Sequence, residues 1–272
     1  MSDSRLTLAR PDLADAALQG LVAAKAYAPT VAYRCTAPCA ALRVLPEPGA
    51  EQQDQLLFGE IFDVLEVKDG WAWGQARRDG YAGFVRAADL AAGTVLATHR
   101  VAALRAYAFS EPDIKSAPVG LYSLNALARA ESQDGRFIKA ADSGWFVASQ
   151  LLPIGQFESD AAAVAERFLG APYQWGGRES LGLDCSGLVQ QAFYACGRAC
   201  PRDTDMQVAL GRDVEPEALA RDDLVFWRGH VGMMLDGARM IHANAFHMAV
   251  SIEPLAEAVA RIGPPTACRR LG

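Results

Sequence analysis

The stretch LGLDCSGLV, residues 181–189, decides how the chain is interpreted, because it places one cysteine where strand-like residues give way to a helix. One apolar face of that helix is formed by Leu188, Val189, Ala192 and Phe193. Unpaired backbone N–H groups and the helix dipole favour a thiolate at a helix start. Cys185 is therefore a candidate nucleophile, although most free cysteines are only small buried hydrophobic residues.

Two histidines downstream of Cys185 could complete a catalytic set. His230 begins one apolar run, and His242 lies near the end of the next run, after the Asp236-Gly237 turn. In an antiparallel pair the start of one strand faces the end of the next, so the two imidazoles are expected to be neighbours. A cysteine peptidase needs a thiolate, an imidazole that holds and returns the proton, and a polar group that orients that imidazole. The pattern therefore predicts cysteine peptidase chemistry.

Metal binding is the rival interpretation of these side chains. Cys185, His230 and His242 could bind zinc together, but no H-x-x-x-H or C-x-x-C spacing supports that site. His247 is a weaker competitor in a loop-like stretch, and His99 fits a surface linker. Four thiolates could also hold zinc through two C-x3-C pairs, which are Cys35 with Cys39 and Cys196 with Cys200. The two pairs lie in segments of different character, so neither a metal nor another cofactor is expected.

The first half of the chain has a different pattern. Residues 1–30 are predicted to form a helical segment, because apolar residues between positions 13 and 24 recur at helical spacing. Residues 31–91 and 92–154 contain short apolar runs separated by turns, and the second range echoes the first. The echoes are Ala41-Leu42-Arg43 with Ala103-Leu104-Arg105, and Asp69-Gly70 with Asp134-Gly135. A repeat of about 60 residues built from strands and turns predicts two small all-β barrels in tandem.

The last part of the chain is predicted to be a separate α+β domain over residues 155–272. Pro153-Ile154-Gly155 indicates its boundary, after which helical patterns precede a series of apolar strands. Helices followed by an antiparallel sheet are typical of the α+β class.

Bulk composition narrows the function classes. With 51% hydrophobic and 21% charged residues, the chain is typical of a soluble globular protein, and its net charge of −6 argues against nucleic-acid binding. No stretch approaches the ~20 apolar residues of a membrane span. The first twenty residues mix charged and apolar side chains, unlike a secretory signal, so a cytoplasmic location is expected.

Six ordered motifs between residues 157 and 272 resemble the NlpC/P60 family of papain-like cell-wall cysteine peptidases. The motifs are Tyr173-Gln174-Trp175-Gly176-Gly177, Asp184-Cys185-Ser186-Gly187, Pro201-Arg202 with Gln207, Asp223-Leu224-Val225-Phe226, His230-Val231-Gly232 and Ile241-His242-Ala243. The two predicted barrels resemble bacterial SH3-type domains, through Trp71-Ala72-Trp73 and Tyr81-Ala82-Gly83-Phe84-Val85 in the first copy. One departure is Arg221-Asp222-Asp223, where the family often has a glycine before Asp223.

The resemblance implies a role for each matching residue. Cys185 would be the nucleophile, His230 the base and His242 the orienting residue, and Tyr173 would help to form the oxyanion hole. Members with SH3-type domains cleave γ-D-glutamyl–L-diamino acid bonds in peptidoglycan stem peptides. Where such enzymes require a free N-terminal L-Ala, the acidic residue beside the nucleophile binds the ammonium group. Asp184 with Ser186 would then be the substrate-binding pair, and the first barrel would wall off the site through Tyr81 and Glu60, which could equally be packing residues.

The leading hypothesis is a cytoplasmic peptidase that recycles muropeptides and whose partners are peptidoglycan-derived peptides. The alternatives are an exported wall hydrolase with wall-binding barrels, a non-catalytic peptide-binding or scaffold protein, and an acyltransferase or amidase that uses the same residues. The sequence makes no prediction of oligomeric state, nor of lysine against diaminopimelate in the third position of the stem peptide.

Overall fold

The computed structural model describes residues 3–271, and the chain divides into two compact units between Ile154 and Gly155. The predicted domain boundary lies at the same position. Unit 1 is built from strands and short 3-10 turns, whereas unit 2 combines helices with an antiparallel sheet. Among residues 3–271, no helix combines the length and apolar character needed to cross a membrane.

The N-terminal segment is not the predicted helix. It contains strands β1 (Leu13–Asp15) and β2 (Ala26–Ala28), which pair in parallel, and a 3-10 turn at Ala16–Leu18. The Ala82 amide donates to the Arg5 carbonyl, and Gln75 donates to the Leu6 carbonyl, so the segment is held by long-range bonds to a sheet. The helical prediction is wrong because these tertiary bonds outweigh a weak local preference.

A seven-stranded antiparallel sheet forms the first half of unit 1. Its strands are β3 (Val31–Cys35), β4 (Cys39–Arg43), β5 (Gln52–Leu57), β6 (Ile61–Lys68), β7 (Trp71–Ala76), β8 (Ala82–Arg86) and β9 (Leu90–Ala92). Their order is β5-β4-β8-β7-β6-β3-β9, and Leu42, Phe62 and Val85 are among the buried core residues. Asp69 and Gly70 both have positive φ between β6 and β7, as a tight hairpin turn requires.

The second half of unit 1 contains two smaller sheets. Their strands are β10 (His99–Val101), β11 (Arg105–Phe109), β12 (Pro118–Ser123), β13 (Leu127–Ala128), β14 (Ala130–Asp134), β15 (Phe137–Ala140), β16 (Trp145–Val147) and β17 (Leu151–Pro153). The five-stranded sheet has the order β12-β11-β16-β15-β14, and the three-stranded sheet has the order β13-β10-β17.

The two halves of unit 1 share one local motif. In each half a strand leads through a 3-10 turn into another strand, at Ala87–Asp89 between β8 and β9 and at Ala148–Gln150 between β16 and β17. Within residues 3–271 these sheets are open ladders and not the predicted closed barrels, because their end strands pair on one side only. A second SH3-type domain therefore stays a prediction.

Between residues 155 and 271, unit 2 contains four α-helices and eight strands. Its elements are α1 (Ala161–Glu166), β18 (Arg178–Glu179), β19 (Gly182–Leu183), α2 (Cys185–Ala195), α3 (Thr204–Gln207), β20 (Arg212–Asp213), β21 (Leu224–Trp227), β22 (His230–Met234), β23 (Arg239–Asn244), β24 (Ala249–Pro254), α4 (Leu255–Ile262) and β25 (Ala267–Arg270). Six strands form an antiparallel sheet of order β20-β25-β21-β22-β23-β24, and α2 packs on β22 and β23. The α+β architecture of this unit is as predicted.

Helix α2 is buried along its whole length. Every residue from Cys185 to Ala195 is buried, so the helix has more than the single apolar face predicted from the sequence. One of its polar side chains, that of Gln190, donates to the Tyr194 hydroxyl and to the Cys200 carbonyl. A helix enclosed on all sides holds its first residue in a fixed place.

The position where the family often has glycine adopts a backbone conformation that favours glycine. Asp222 has a φ of 72°, in the left-handed region. Its side chain accepts a hydrogen bond from the Ala162 amide at 2.6 Å, which helps to hold the turn. The presence of Asp222 in place of glycine therefore affects a turn, as expected from the sequence.

Gly74 offers a test of the first sheet. It faces a β-bulge in β6, and a Cβ at this position would lie 2.4 Å from the Asp63 carbonyl oxygen. We expect Gly74→Ala to lower the free energy of unfolding by about 1–3 kcal/mol. Gly49→Ala is the control, because a Cβ there meets nothing within 4 Å. Denaturant unfolding followed by tryptophan fluorescence measures both variants, and equal stability of the two would contradict the described register.

Candidate active site

Cys185 is the first residue of α2, and its thiol is buried, with 6% of the residue exposed. Burial, followed by the charge of Asp184, raises the pKa of the thiol to about 12. Backbone N–H groups of Val231 and Ser186 donate to the sulfur and, with Arg202, oppose the rise. The predicted preference for a thiolate is therefore outweighed, and Cys185 is a neutral thiol at rest.

The two predicted histidines are in direct contact. His230 begins β22 and His242 lies on β23, and Nε2 of His230 is 2.8 Å from Nδ1 of His242. Val231, which hydrogen-bonds the thiol of Cys185, follows His230 directly in the chain. The antiparallel register thus brings both imidazoles together and places the thiol against the start of β22.

Both imidazoles are neutral at pH 7. Burial lowers the pKa of His230 to about 4, and Arg261 lowers it further while Glu253 opposes the shift. Burial also lowers the pKa of His242 to about 4, with the neighbouring His230 as the next cause. A neutral imidazole can accept a proton, which is what a general base requires.

Glu253 is a functional candidate that the sequence analysis did not identify. It lies on β24 with 6% of the residue exposed, and its Oε1 is 2.7 Å from Nε2 of His242. His242 pairs with Ser251 across the strands, so Glu253 is its diagonal neighbour. The signal available in the sequence was an acidic residue beside apolar positions in a strand, at Ile252-Glu253.

Arg261 holds the Glu253 carboxylate from helix α4. Its guanidinium donates to both carboxylate oxygens, with Nη1 2.9 Å from Oε2. Burial opposes ionisation of Glu253, but the hydrogen bonds from Arg261 and the charge of His242 leave its pKa below the usual value. The group is therefore a carboxylate at neutral pH.

Tyr173 is partly buried near the thiol. Its backbone amide donates to the Met248 carbonyl, and the residue forms an isolated bridge with Leu183, just before α2. Burial, followed by the charges of Cys185 and Asp184, raises the pKa of the phenol to about 12. The hydroxyl therefore remains a hydrogen-bond donor at neutral pH, as the predicted oxyanion-hole role requires, and that role stays a prediction.

Asp184 has a structural role that the sequence did not reveal. It caps α2 by accepting from the Gly187 amide, and it also accepts from the Gly176 amide and the Ser186 hydroxyl. Arg202 is 1% exposed and binds both carboxylate oxygens, at 3.0 and 2.6 Å, and also donates to the Ser186 hydroxyl. Asp184 and Ser186, the predicted ammonium-binding pair, therefore already bind the guanidinium of Arg202.

The two predicted wall residues are held within unit 1. Tyr81 is buried in the core of the seven-stranded sheet. Glu60 is also buried, where it accepts from the Leu57 amide and forms an ion pair with Arg78 at 2.8 Å. These contacts fit the alternative considered from the sequence, in which Tyr81 and Glu60 are packing residues. A role for them in walling off the active site stays a prediction.

One group of side chains in residues 3–271 lies close enough together to hold a metal ion. His242, His247 and Glu253 offer ligand atoms within 4.8 Å of one another. Arg261 occupies both oxygens of Glu253 and places a positive charge at the same point, which opposes binding of a cation. Neither of the two zinc sites considered from the sequence forms such a group within residues 3–271.

Two family models match separate parts of the chain. The NlpC/P60 family model matches residues 170–261, which include Cys185, His230 and His242. The model of the bacterial dipeptidyl-peptidase SH3 domain matches residues 42–90 in unit 1.

Several named proteins are similar in sequence. The γ-D-glutamyl-L-lysine dipeptidyl-peptidase of Bacillus subtilis is 28% identical over 228 residues, which cover 76% of this chain and 77% of that protein. A protein of the same name from Bacillus cereus is 35% identical over 104 residues, 35% of this chain and 31% of that one. Peptidoglycan endopeptidase RipB of Mycobacterium tuberculosis is 33% identical over 107 residues, 33% of this chain and 44% of that one.

Solved structures show the same fold. The crystal structure of an NlpC/P60 family protein from Bacillus cereus matches with a TM-score of 0.77 and 20% identity, covering 88% of this chain and 99% of that one. The two family models show that the chain contains a domain of the NlpC/P60 family of cysteine peptidases and a bacterial SH3 domain.

Proposed function

We propose that this cysteine peptidase hydrolyses γ-D-glutamyl–L-diamino acid bonds in peptidoglycan stem peptides and requires a free N-terminal L-Ala. The observation that carries the proposal is the thiol of Cys185 at the backbone N–H of Val231, the residue that follows His230, whose imidazole lies 2.8 Å from that of His242. Support for the substrate class comes from the Bacillus subtilis relative, whose name specifies γ-D-glutamyl-L-lysine and the release of dipeptides.

The proposed reaction begins from a neutral thiol and a neutral imidazole. His230 takes the thiol proton as the sulfur of Cys185 attacks the γ-carbonyl carbon of D-glutamate. The oxyanion accepts hydrogen bonds from backbone N–H at the start of α2 and from the Tyr173 hydroxyl. His230 then returns the proton to the leaving amine, and water hydrolyses the thioester to release the acyl peptide and restore the thiol.

Recognition of a free amine is proposed to involve Asp184 and Ser186. Arg202 offsets the charge of this carboxylate, so an incoming ammonium group would share Asp184 with the guanidinium. An interaction of this kind is worth about 1.5–3 kcal/mol, or roughly 10- to 100-fold in rate. A free amine requirement would restrict the enzyme to released stem peptides, which favours a role in muropeptide recycling, with the cytoplasm as the proposed location.

A wall-degrading role is the second candidate, because RipB is named a peptidoglycan endopeptidase. Such an enzyme would act on stem peptides that remain amide-linked to the polymer, and it would not need a free amine. The two candidates therefore differ in what they require at the N-terminus of the substrate.

Removal of the Cys185 thiol tests the nucleophile. We expect Cys185→Ala to lower kcat/KM for L-Ala-γ-D-Glu-L-Lys by ~10⁴-fold or more, because no other group replaces the attacking sulfur. Cys196→Ala is the matched control, since this half-buried thiol lies at the opposite end of α2. Product release is measured by chromatography. Substantial activity in the Cys185→Ala variant would refute the assignment of Cys185 as the nucleophile.

Blocking the substrate amine tests the preference for released peptides. We expect N-acetylation of L-Ala-γ-D-Glu-L-Lys to reduce kcat/KM by roughly 10- to 100-fold, because the acetyl group removes the ammonium charge. Intact sacculi serve as the polymeric substrate in parallel. Equal rates on both peptides, together with solubilisation of sacculi, would favour the wall-degrading alternative.

The pH profile tests the state of the base. Burial lowers the pKa of His230 to about 4, so the imidazole remains neutral well below pH 7. Because the base must be neutral and the substrate amine must be charged, kcat/KM should stay constant from about pH 7 to about pH 5 and fall by half near pH 4. Initial rates are measured alongside circular dichroism, which confirms that the fold persists at each pH. An acid midpoint near 6.5, the ordinary histidine value, would contradict the buried neutral base.

A further inference from the structure

The buried carboxylate of Glu253 has no role in the predicted catalytic set, yet it touches one of its members. Its Oε1 lies 2.7 Å from Nε2 of His242, and Nδ1 of the same ring lies 2.8 Å from Nε2 of His230. The three side chains therefore form a continuous chain of polar contacts that runs from Glu253 through His242 to Nε2 of His230.

We infer that Glu253, held by Arg261, is a positioning residue that fixes the proton positions on both imidazoles and so leaves Nδ1 of His230 free to act as the base. This inference rests on the proposed function, in which His230 takes the proton of Cys185. It adds to that function a carboxylate that acts through His242 and does not touch the substrate.

The proton positions on the two rings follow from which nitrogens can donate and which can accept. A neutral imidazole carries one N–H and one lone pair. The carboxylate only accepts, and a lone pair on Nε2 of His242 would be repelled at 2.7 Å, so the contact favours an N–H on Nε2 and makes Nδ1 of His242 an acceptor. That acceptor requires an N–H on Nε2 of His230, and the remaining nitrogen, Nδ1 of His230, then carries a lone pair.

The histidine pair alone would not determine this arrangement. If both protons moved to the Nδ1 positions, His242 would donate to His230 and the contact of 2.8 Å would be equally satisfied. In that case Nδ1 of His230 would carry a proton and could not accept one from the thiol. Glu253 removes this ambiguity, because protons on both Nδ1 atoms would place the lone pair of His242 Nε2 against the Glu253 carboxylate.

Arg261 keeps Glu253 in the accepting state and in place. Its guanidinium donates to both oxygens of the carboxylate, and it lies over the Phe246 ring at 4.4 Å, which fixes its own position. Its charge lowers the pKa values of His230 and His242, whereas Glu253 raises them. The opposing charges offset one another, so the pair acts mainly through hydrogen-bond direction.

Glu253→Gln tests the inference, because Arg261 would take the amide oxygen and turn the amide N–H toward His242. We expect kcat to fall by about 100-fold or more with little change in KM, as for a base held in the wrong tautomer. Glu253→Asp keeps the carboxylate and should restore much of the activity. Glu217→Gln is the matched control, because it removes an exposed carboxylate of unit 2 outside the Glu253–Arg261 pair and should have no effect.

Nitrogen NMR of the histidine rings gives a readout that does not depend on peptidase activity. In the Cys185→Ala protein, both rings should carry the proton on Nε2, and addition of Glu253→Gln should shift His230 toward the Nδ1–H form. A proton on Nδ1 of His230 while Glu253 is intact, or an unchanged tautomer and kcat in Glu253→Gln, would overturn the inference. If the wild-type protein fails to cleave the stem peptide, the proposed function fails, and the NMR measurement still decides the role of Glu253.

Discussion

The buried ion pair between Asp184 and Arg202 is the interaction on which the geometry of unit 2 depends most directly. Through one carboxylate it connects the turn at Gly176, the first turn of α2 and the segment that precedes α3. Breaking such a pair leaves an uncompensated charge in the interior, which typically costs about 3–5 kcal/mol. Because Asp184 also caps α2, the same interaction determines where the helix begins and therefore where the thiol of Cys185 lies.

Around that fixed thiol, burial rather than net charge controls the chemistry. The thiol and both imidazoles are neutral at rest, since burial raises the pKa of Cys185 and lowers those of His230 and His242. Neutral groups avoid the cost of burying isolated charges. In the proposed mechanism, the charge separation needed for attack is formed only during the reaction, where donors at the start of α2 can stabilise it.

The sequence predicted the parts of the site that depend on local pattern and simple strand geometry. Cys185 stands at a strand-to-helix transition, and the antiparallel register explains why His230 and His242 meet. Glu253 was missed because its contact with His242 is a diagonal one, two residues from the paired position, and depends on the sheet register. Arg202 belonged to a recognised motif, but its partner could not be known before the chain was folded.

The errors in the fold have a similar cause. The N-terminal segment has helical spacing, yet carbonyls of Arg5 and Leu6 are bonded to residues more than sixty positions away. The repeat in unit 1 correctly indicated strands and turns, but whether a sheet closes depends on strand pairing at its ends. Short-range patterns carry no information about either feature.

The neutral resting state of Cys185 also has a consequence for the resistance of its sulfur to oxidation. Peroxides and related oxidants attack the thiolate form of cysteine, and the thiolate fraction at neutral pH falls as the pKa rises. A thiol with a pKa of about 12, enclosed at the head of a buried helix, therefore exposes almost none of the oxidisable species to solvent. Burial thus protects the resting sulfur of Cys185 from irreversible oxidation.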